Sequence, residues 1–328
     1  MTAELVSTII PVFNRAGMLR DAVASVLAQT WRPIEIVIVD DGSVDDTLHA
    51  ANALAAEHPD IVRVLSQPNA GPGVARQTGL EASRGEFIQF LDSDDLLMPD
   101  KFALQIAGLR SDPAAGISYG KTYTRDGGVR KFSPAQRSGE RHRTVFPALL
   151  TGRLWETSTP LYRRRALDRI GPWPMKRQME DWEFDAQAGA ANIQLQHCDE
   201  WIAEYVIHGE HRLASAWRKD DAAFADMVDA YLAILQHGRI AGIAVGSEPM
   251  TRFARTLFSM ARTCAARGSP LLAVRALDAA ASAAPAGSPT AREVRLYRAA
   301  SRICGWQNVA TLCTWRDRLT ARAGTNPA

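Results

Sequence analysis

Carboxylates are concentrated in one short stretch of this 328-residue chain, directly after an apolar segment. Asp92, Asp94 and Asp95 follow the apolar run 87–91, which is typical of a short buried strand. Hard oxygen ligands of this kind suit Mg²⁺ or Mn²⁺, which commonly take one or two protein carboxylates and complete their coordination with water and phosphate oxygens. The run therefore predicts a site for a divalent cation and a diphosphate. The alternative is an acidic turn that caps the helix expected after Pro99.

A second group of acids lies among large hydrophobic side chains, at the start of a predicted helix. Glu180, Asp181 and Glu183 alternate there with Trp182 and Phe184. We expect burial at this place to raise the pKa of a carboxyl, which would suit a general base. Acids in the first turn also stabilise a helix through its dipole, without any chemistry. The segment alone leaves both interpretations open.

Three strand–loop–helix units precede the first acidic run and would position it. Strands are predicted over 6–13, 34–39 and 61–65, and helices over 18–27 and 45–57. Near-continuous apolar strands that alternate with helices indicate a parallel sheet covered on both faces. The polar ends of such strands converge at one rim, where open α/β sheets bind ligands. The N-terminal half therefore belongs to the α/β class.

Four short motifs, in this order and at this spacing, resemble family 2 glycosyltransferases with the GT-A fold. They are the segments 7–14, 39–43, 69–76 and 91–95, the last of which contains an Asp-x-Asp motif. The resemblance covers about the first two thirds of the chain. It implies a Rossmann-like, mostly parallel sheet with helices on both faces, followed by a small all-α C-terminal region.

The resemblance also implies a division of the chain. A GT-A catalytic domain would occupy residues 1–215, with a nucleotide-sugar half at about 1–100 and an acceptor half at about 101–215. A helical extension would fill residues 216–328.

By this resemblance, one set of residues binds the nucleotide sugar. The end of the first strand and one of the two acids at 40–41 would contact the nucleoside, Arg76 would approach the phosphates, and the acidic run would face the ribose and metal. Glycine allows close backbone approach, and a guanidinium offers phosphate a fork of donors. A turn with a helix cap is the alternative for the acids at 40–41. The set is Pro11, Val12, Phe13, Asn14, Asp40, Asp41, Gly73, Arg76, Asp92, Ser93 and Asp94.

The family resemblance assigns the catalytic and metal residues as well. Asp181 corresponds to the general base of an inverting transfer, in which an acceptor hydroxyl attacks the anomeric carbon as the nucleoside diphosphate departs. Asp94 would hold Mn²⁺ or Mg²⁺. His208 matches the family's metal- or diphosphate-contacting histidine better than His211 does, although Val206 stands where an Arg is common.

The acceptor side is implied at Trp155, Trp173 and Glu180. We expect the two indoles to stack on sugar faces, with core packing as the alternative for each. The arginine run 163–165 is either a contact for an anionic acceptor or a solvated helix face.

The C-terminal part of the chain is basic. Residues 230–328 carry thirteen arginines against four acids, a net charge of +9, which leaves −7 for the remainder of a chain whose total is +2. The segment 253–285 resembles one tetratricopeptide-like helical hairpin, and a second pair is predicted over 290–322, with Trp306 and Trp315. We expect these helices to dock on the catalytic domain or on a protein partner, or to contact an anionic membrane peripherally. The alternative is ordinary helix packing with a solvated arginine face.

Location and source follow from composition alone. No run reaches the ~20 apolar residues of a membrane span, and the N-terminus lacks a signal-peptide pattern. Four scattered cysteines have neither metal spacing nor a disulfide framework. We expect a cytoplasmic protein, either free or peripheral at the inner face of the membrane. The Ala- and Arg-rich composition indicates a bacterial source.

The expected function is an inverting, metal-dependent transfer from a nucleoside-diphosphate sugar to a hydroxyl of a glycan or lipid-linked acceptor. The resemblance favours a UDP-sugar donor, a role in cell-surface polysaccharide or glycoconjugate synthesis, and no nucleic-acid partner. One alternative is a non-catalytic nucleotide-sugar-binding scaffold that acts through its C-terminal helices. Another is a nucleotidyl- or phosphoryl-transferase, against which stands the absence of a Gly-x-x-x-x-Gly-Lys loop.

Overall fold

A computed structural model describes residues 2–208, 217–218 and 220–313 of the chain. A short 3₁₀ helix, Ala148–Thr151, and a helical stretch at 306–313 accompany the main elements. The main elements are β1 (Thr2–Val12), α1 (Ala16–Leu27), β2 (Ile34–Asp40), α2 (Thr47–Glu57), β3 (Val62–Ser66), α3 (Pro72–Ala82), β4 (Gly85–Phe90), β5 (Leu96–Leu97), α4 (Lys101–Ser111), β6 (Ala115–Asp126), β7 (Val129–Lys131), β8 (Leu161–Arg163), α5 (Arg164–Ile170), α6 (Glu180–Ala190), β9 (Gln194–Ile207), α7 (Asp221–Ile240), α8 (Glu248–Ala266), α9 (Pro270–Ala283) and α10 (Pro289–Cys304).

The strands of the described residues form one sheet in the order β3-β2-β1-β4-β8-β6-β9-β5, and β7 pairs with β6. The first four strands of this order are parallel, as predicted. β8 runs antiparallel to both β4 and β6, and β5 runs antiparallel to β9. The predicted α/β class is confirmed, but the second half of the sheet is mixed rather than parallel because β8 reverses the strand direction.

Helices cover both faces of the sheet. Alternate side chains of β1 are therefore buried in two different cores, one on each face. Val6 and Ile10 pack in a core with Leu19 of α1, whereas Ile9 packs in a second core with Phe90. Each of these side chains is fully or almost fully buried. Contacts on both faces of the sheet therefore explain why β1 is apolar at nearly every position.

The parallel register brings the loops after three strands to one rim. Val12 lies opposite Asp40, and Ile9 lies opposite Phe90, so β1, β2 and β4 end side by side. The residues that follow these strands are Phe13, Asp41 and Leu91. This rim carries the polar motifs that the sequence singled out.

The C-terminal helices share one hydrophobic core with the second half of the sheet. That core includes Phe90 and Phe184 as well as Leu257 of α8 and Leu277 of α9. A turn at Gly268, whose φ is 76°, joins α8 to α9, so the predicted helical C-terminal region is confirmed. The predicted second helix pair begins with α10, while its end, including Trp315, lies outside the described residues.

No helix in the described ranges has the length and apolar character needed to cross a bilayer.

Candidate active site

Arg76 joins the acidic run to the helix that carries the candidate base. It lies in the second turn of α3 and is only 4% exposed. Its Nη2 donates to Asp92 Oδ1 at 2.7 Å, and its Nη1 donates to Glu180 Oε1 at 2.6 Å. The guanidinium also lies over the Trp173 ring, 4.7 Å from its centroid. Arg76 therefore bridges two carboxylates, and its contact with donor phosphates stays a prediction.

The two acids at the end of β2 both hold loops. Asp41 accepts from the backbone N–H of Ala70 at 2.9 Å and of Gly71 at 2.8 Å, which shapes the loop before α3. Gly71 has a φ of 96°, a conformation that favours glycine. Asp40 accepts from the Ser43 N–H at 3.3 Å. Which of the two acids contacts the nucleobase stays open, because both are buried and both accept hydrogen bonds from the protein backbone.

The end of β1 offers backbone and one exposed ring to the rim. Pro11 and Val12 are buried, so only their backbone can contribute, whereas Phe13 is 42% exposed. Asn14 takes a positive φ of 52°, and its side-chain oxygen accepts from the Val44 N–H at 2.9 Å. Asn14 thus ties the β1 loop to the β2 loop, and Phe13 remains available to a ligand.

The acidic run contains one structural acid and two acids that face the rim. Asp95 is buried, and it accepts from Ser158 Oγ at 2.7 Å and from the Val206 N–H at 3.1 Å. Burial raises the pKa of Asp95 well above its usual range, and Asp94 and Asp92 add to the rise. Ser93 is buried as well, whereas Asp92 and Asp94 are partly exposed. The last two are the carboxylates that a ligand can reach.

Asp94 and His208 converge at the place predicted for a divalent cation. Asp94 Oδ2 and His208 Nε2 are 2.7 Å apart, close to the separation of about 3 Å between neighbouring ligands of an octahedral Mg²⁺ or Mn²⁺. The described residues contain no cluster of three or more acidic, histidine or cysteine ligands. Two protein ligands nevertheless fit these ions, which take phosphate and water for the rest. His211 lies outside the described residues.

Asp181 lies at the start of α6 and is held by a buried arginine. Arg153 Nη2 is 2.5 Å from Asp181 Oδ2, and the Thr157 hydroxyl donates to the same oxygen at 3.2 Å. Asp181 Oδ1 accepts from the Trp182 N–H at 2.9 Å. The Asp181 side chain keeps 19% of its surface exposed, so a group from solvent can reach it.

The two acids at the start of α6 have opposite pKa shifts. Burial raises the pKa of Glu180 to about 7, and Asp181 adds to the rise against the attraction of Arg76. Burial also acts to raise the pKa of Asp181, but the positive charges of Arg153 and Arg76 lower it below its ordinary value. The expected rise therefore occurs at Glu180, whereas the pKa of Asp181 is lowered and its carboxylate is ionised at neutral pH.

Both predicted sugar-stacking tryptophans belong to the hydrophobic core. Trp155 is 1% exposed, and its indole N–H donates to Asp185 at 3.1 Å. Trp173 is also buried and stacks on Phe184 with 4.0 Å between ring centroids. Neither ring has a face available to an acceptor, so the prediction that they stack on sugars is wrong. The placement of Glu180 beside the acceptor stays a prediction, since its carboxylate pairs with Arg76.

Gly73 is required by a contact within the protein. A Cβ at this position would lie 2.2 Å from the Pro174 carbonyl oxygen, which no real Cβ tolerates. The start of α3 therefore packs directly on the segment that leads into α6. Whether the Gly73 backbone also contacts the donor stays a prediction.

Sequence reasoning missed two arginines that contact the candidate site. Arg15, next to Asn14, reaches Asp94 and His208, and Arg153, two positions before Trp155, pairs with Asp181. In the sequence, only their positions close to Asn14 and Trp155 indicate that these arginines belong to the site. That indication is weak, because most arginines are solvated surface residues.

Comparison with known proteins identifies the family. The model of glycosyl transferase family 2 matches residues 7–171, about half of the chain. The chain belongs to glycosyl transferase family 2. The predicted family and enzyme class are thereby confirmed, and the match covers the rim, the acidic run, Arg153 and Trp155, but ends before α6.

Relatives and solved structures agree with this assignment. The family 2 glycosyltransferase is 32% identical over 217 residues to the uncharacterized glycosyltransferase alr2836 of Nostoc sp., covering 64% of this chain and 67% of the relative. It is 40% identical over 96 residues to the uncharacterized glycosyltransferase YibD of Escherichia coli, covering 29% of this chain and 28% of YibD.

Two solved structures show the fold of this family 2 glycosyltransferase. S. aureus TarS in complex with UDP-GlcNAc aligns with a TM-score of 0.70 and 19% identity, over 95% of this chain and 91% of TarS. The mannosyltransferase PcManGT from Pyrobaculum calidifontis in complex with GDP-Man and Mn²⁺ aligns with a TM-score of 0.52 and 18% identity, over 93% and 83% of the two chains. At these identities the likeness establishes the fold alone.

Proposed function

We propose that this chain transfers a sugar, with inversion at the anomeric carbon, from a nucleoside-diphosphate sugar to a hydroxyl of a glycan or lipid-linked acceptor. The observation that carries the proposal is the link Asp92–Arg76–Glu180, in which one buried guanidinium bonds both carboxylates. Asp181 follows Glu180 in the chain, and it is proposed to lie close to the donor diphosphate. A transferase needs the base and the donor diphosphate within reach of one sugar ring.

Asp181 is the proposed general base. Its carboxylate is ionised at neutral pH, so it can take the proton of the acceptor hydroxyl as that oxygen bonds to the anomeric carbon. The bond between the anomeric carbon and the diphosphate oxygen breaks in the same step, and the nucleoside diphosphate leaves. Arg153 and Thr157 orient the base through Oδ2, and Oδ1, which accepts from the Trp182 N–H, is the oxygen proposed to take the proton.

The donor diphosphate is proposed to lie at the rim between Arg76 and the acidic run. Asp94 and His208 would hold Mn²⁺ or Mg²⁺, which supplies charge stabilisation to the departing diphosphate when it is bound. Phe13 and one of Asp40 and Asp41 are proposed to contact the nucleoside. A UDP-sugar is favoured because the TarS structure contains UDP-GlcNAc, while PcManGT with GDP-Man keeps a GDP-sugar as the second candidate.

The wider role rests on the family resemblance. We infer a place in cell-surface polysaccharide or glycoconjugate synthesis on the cytoplasmic side, with residues 1–215 as the catalytic domain and the basic helices beyond it as contacts for a partner or a membrane.

Calorimetric titration of the full chain with UDP, GDP, dTDP and CDP, each in Mn²⁺ and in EDTA, tests the donor site. We expect one nucleotide, UDP first, to bind in Mn²⁺ and to lose that binding in EDTA. Asp94→Ala should lose the Mn²⁺-dependent part, whereas Asp60→Ala, at an exposed loop position between α2 and β3, should not. Binding that is equal in Mn²⁺ and EDTA would remove the metal assignment, and no binding of any nucleotide would overturn the function.

A further inference from the structure

Arg15 lies against the pair of side chains that fits a divalent cation. Its Nη1 is 3.0 Å from His208 Nε2 and 3.4 Å from Asp94 Oδ2. The backbone N–H of Arg15 donates to Thr47 Oγ1 at 2.7 Å, which fixes the start of α1 beside the rim. The three side chains are between 11% and 24% exposed, so water and salt screen their charges only in part.

The hydrogen-bonding chemistry of this trio allows two arrangements. Arginine only donates and an ionised carboxylate only accepts. If His208 Nε2 carries a proton, it donates to Asp94 and faces the Arg15 donor. If Nε2 is bare, it accepts from Arg15 and faces the Asp94 acceptor. In the second arrangement the guanidinium holds together two lone pairs that otherwise repel, which is also what a bound metal ion does.

We propose that Arg15 is a built-in counter-cation for the Asp94–His208 pair, which a divalent ion must displace in order to bind. The inference rests on the metal site of the proposed function and goes beyond it, because it assigns to this chain a residue that sets metal affinity. Arg15 weakens the binding of the ion alone, since one positive charge has to leave before another enters.

A diphosphate changes this competition. A displaced Arg15 gains a new anionic partner when a nucleoside diphosphate occupies the rim, because phosphate oxygens accept from a guanidinium at least as well as a carboxylate does. Metal and nucleotide should therefore favour each other, and this coupling is reciprocal. The enzyme would then bind its metal mainly together with its donor.

Titration of the full chain with Mn²⁺, in which the EPR signal of free Mn²⁺ reports binding, tests the inference with and without UDP. Arg15→Met should tighten the binding of Mn²⁺ alone by about tenfold. The factor by which UDP tightens Mn²⁺ binding should shrink in the same variant. Arg15→Lys keeps the charge and should stay within about twofold of the wild type. Arg20→Met, on an exposed position of α1, is the matched control and should change nothing.

Each outcome decides between distinct ideas. Tighter Mn²⁺ binding in Arg15→Met but not in Arg15→Lys supports the inference. Unchanged or weaker binding in Arg15→Met, beside normal binding in the wild type, overturns it and leaves the proposed function intact. Equal tightening in both variants also overturns it, because the charge would then not be the cause. Failure of every protein to bind Mn²⁺, even with UDP, overturns the metal site and the inference together.

Discussion

Two neighbouring carboxyls at the start of α6 are driven apart in pKa by different partners. Burial raises the pKa of Glu180, which pairs with Arg76, to about 7. Burial acts in the same direction on Asp181, but its partner Arg153 and the charge of Arg76 lower its pKa, so it stays ionised. Environments that separate the pKa values of adjacent acids commonly mark different chemical roles. At the scale of residues, Asp181 is therefore the carboxyl that is ionised at neutral pH, and Glu180 is the link to Arg76.

Replacement of the proposed base tests this assignment. Asp181→Asn should lower turnover by about 10²–10⁴-fold, because the loss of a general base costs that much, while UDP affinity stays near that of the wild type. The measurements are steady-state transfer, or hydrolysis of the donor that calorimetry identifies, and UDP titration. Asp168→Asn, at an exposed position of α5, is the control. Unchanged turnover in Asp181→Asn would shift the base to Glu180 or Glu183.

Arg153 is proposed as a positioning residue that acts through Asp181, and a pH profile can separate this role from a structural one. Its positive charge lowers the pKa of Asp181, so Arg153→Met should raise that pKa. The acid limb of kcat/KM should then move to higher pH by about 1–2 units, and activity at pH 5 should fall more than activity at pH 8. Arg153→Lys keeps the positive charge, so its acid limb should stay close to that of the wild type. An acid limb that does not move in Arg153→Met would contradict the assignment.

The pairing of Asp181 with Arg153 makes the stability of the fold depend on pH. The pKa of Asp181 is lowered in the folded protein, so its ionised carboxylate contributes stability above its unfolded pKa, and this contribution is lost as the pH falls through the folded pKa. Glu180 acts in the opposite direction, since its pKa is raised to about 7. Its ionisation therefore weakens the fold as the pH rises from about 4.5 to 7.

At the scale of elements, α3 and the segment before α6 are locked together by a backbone contact. Gly73→Ala would place a Cβ 2.2 Å from the Pro174 carbonyl oxygen and should lower the free energy of unfolding by about 1–3 kcal/mol. Gly17→Ala, in the first turn of α1 with no atom near its Cβ, should cause no loss. Urea unfolding of both variants measures the difference. Equal stability of the two would show that the segment moves away without cost.

At the scale of the whole molecule, the C-terminal helices and the half of the sheet that carries α6 are stabilised by the same core. Leu257→Ala in α8 should lower the free energy of unfolding by about 2–5 kcal/mol, because Leu257 is fully buried in that core. Leu271→Ala in α9, where the side chain is 80% exposed, should change it by less than about 0.5 kcal/mol.

Differential scanning calorimetry of the same two variants tests whether the core is shared. We expect the helices and the second half of the sheet to unfold in one transition, which moves to lower temperature in Leu257→Ala and not in Leu271→Ala. A separate early transition for the helices, with the remainder unmoved, would show that they form an independent unit.

The order of the elements and the positions of the polar loops follow from local patterns in the sequence. The strand predicted over 34–39 appears as β2 and the helix predicted over 18–27 as α1, each within about two residues. Apolar periodicity and turn residues report local structure, and the rim follows from parallel strands that end together. The family could be predicted for the same reason, since its motifs lie in those loops.

Which side chains face a ligand and which belong to the core depends on contacts made in the folded chain. Trp155 and Trp173 are buried, and Arg15 contacts His208 from a position 193 residues away. The pKa of Asp181 likewise depends on Arg153, which lies in a different segment. Burial and electrostatic shifts arise from residues that only the folded chain brings together, so a local pattern can mark such residues but cannot assign their roles.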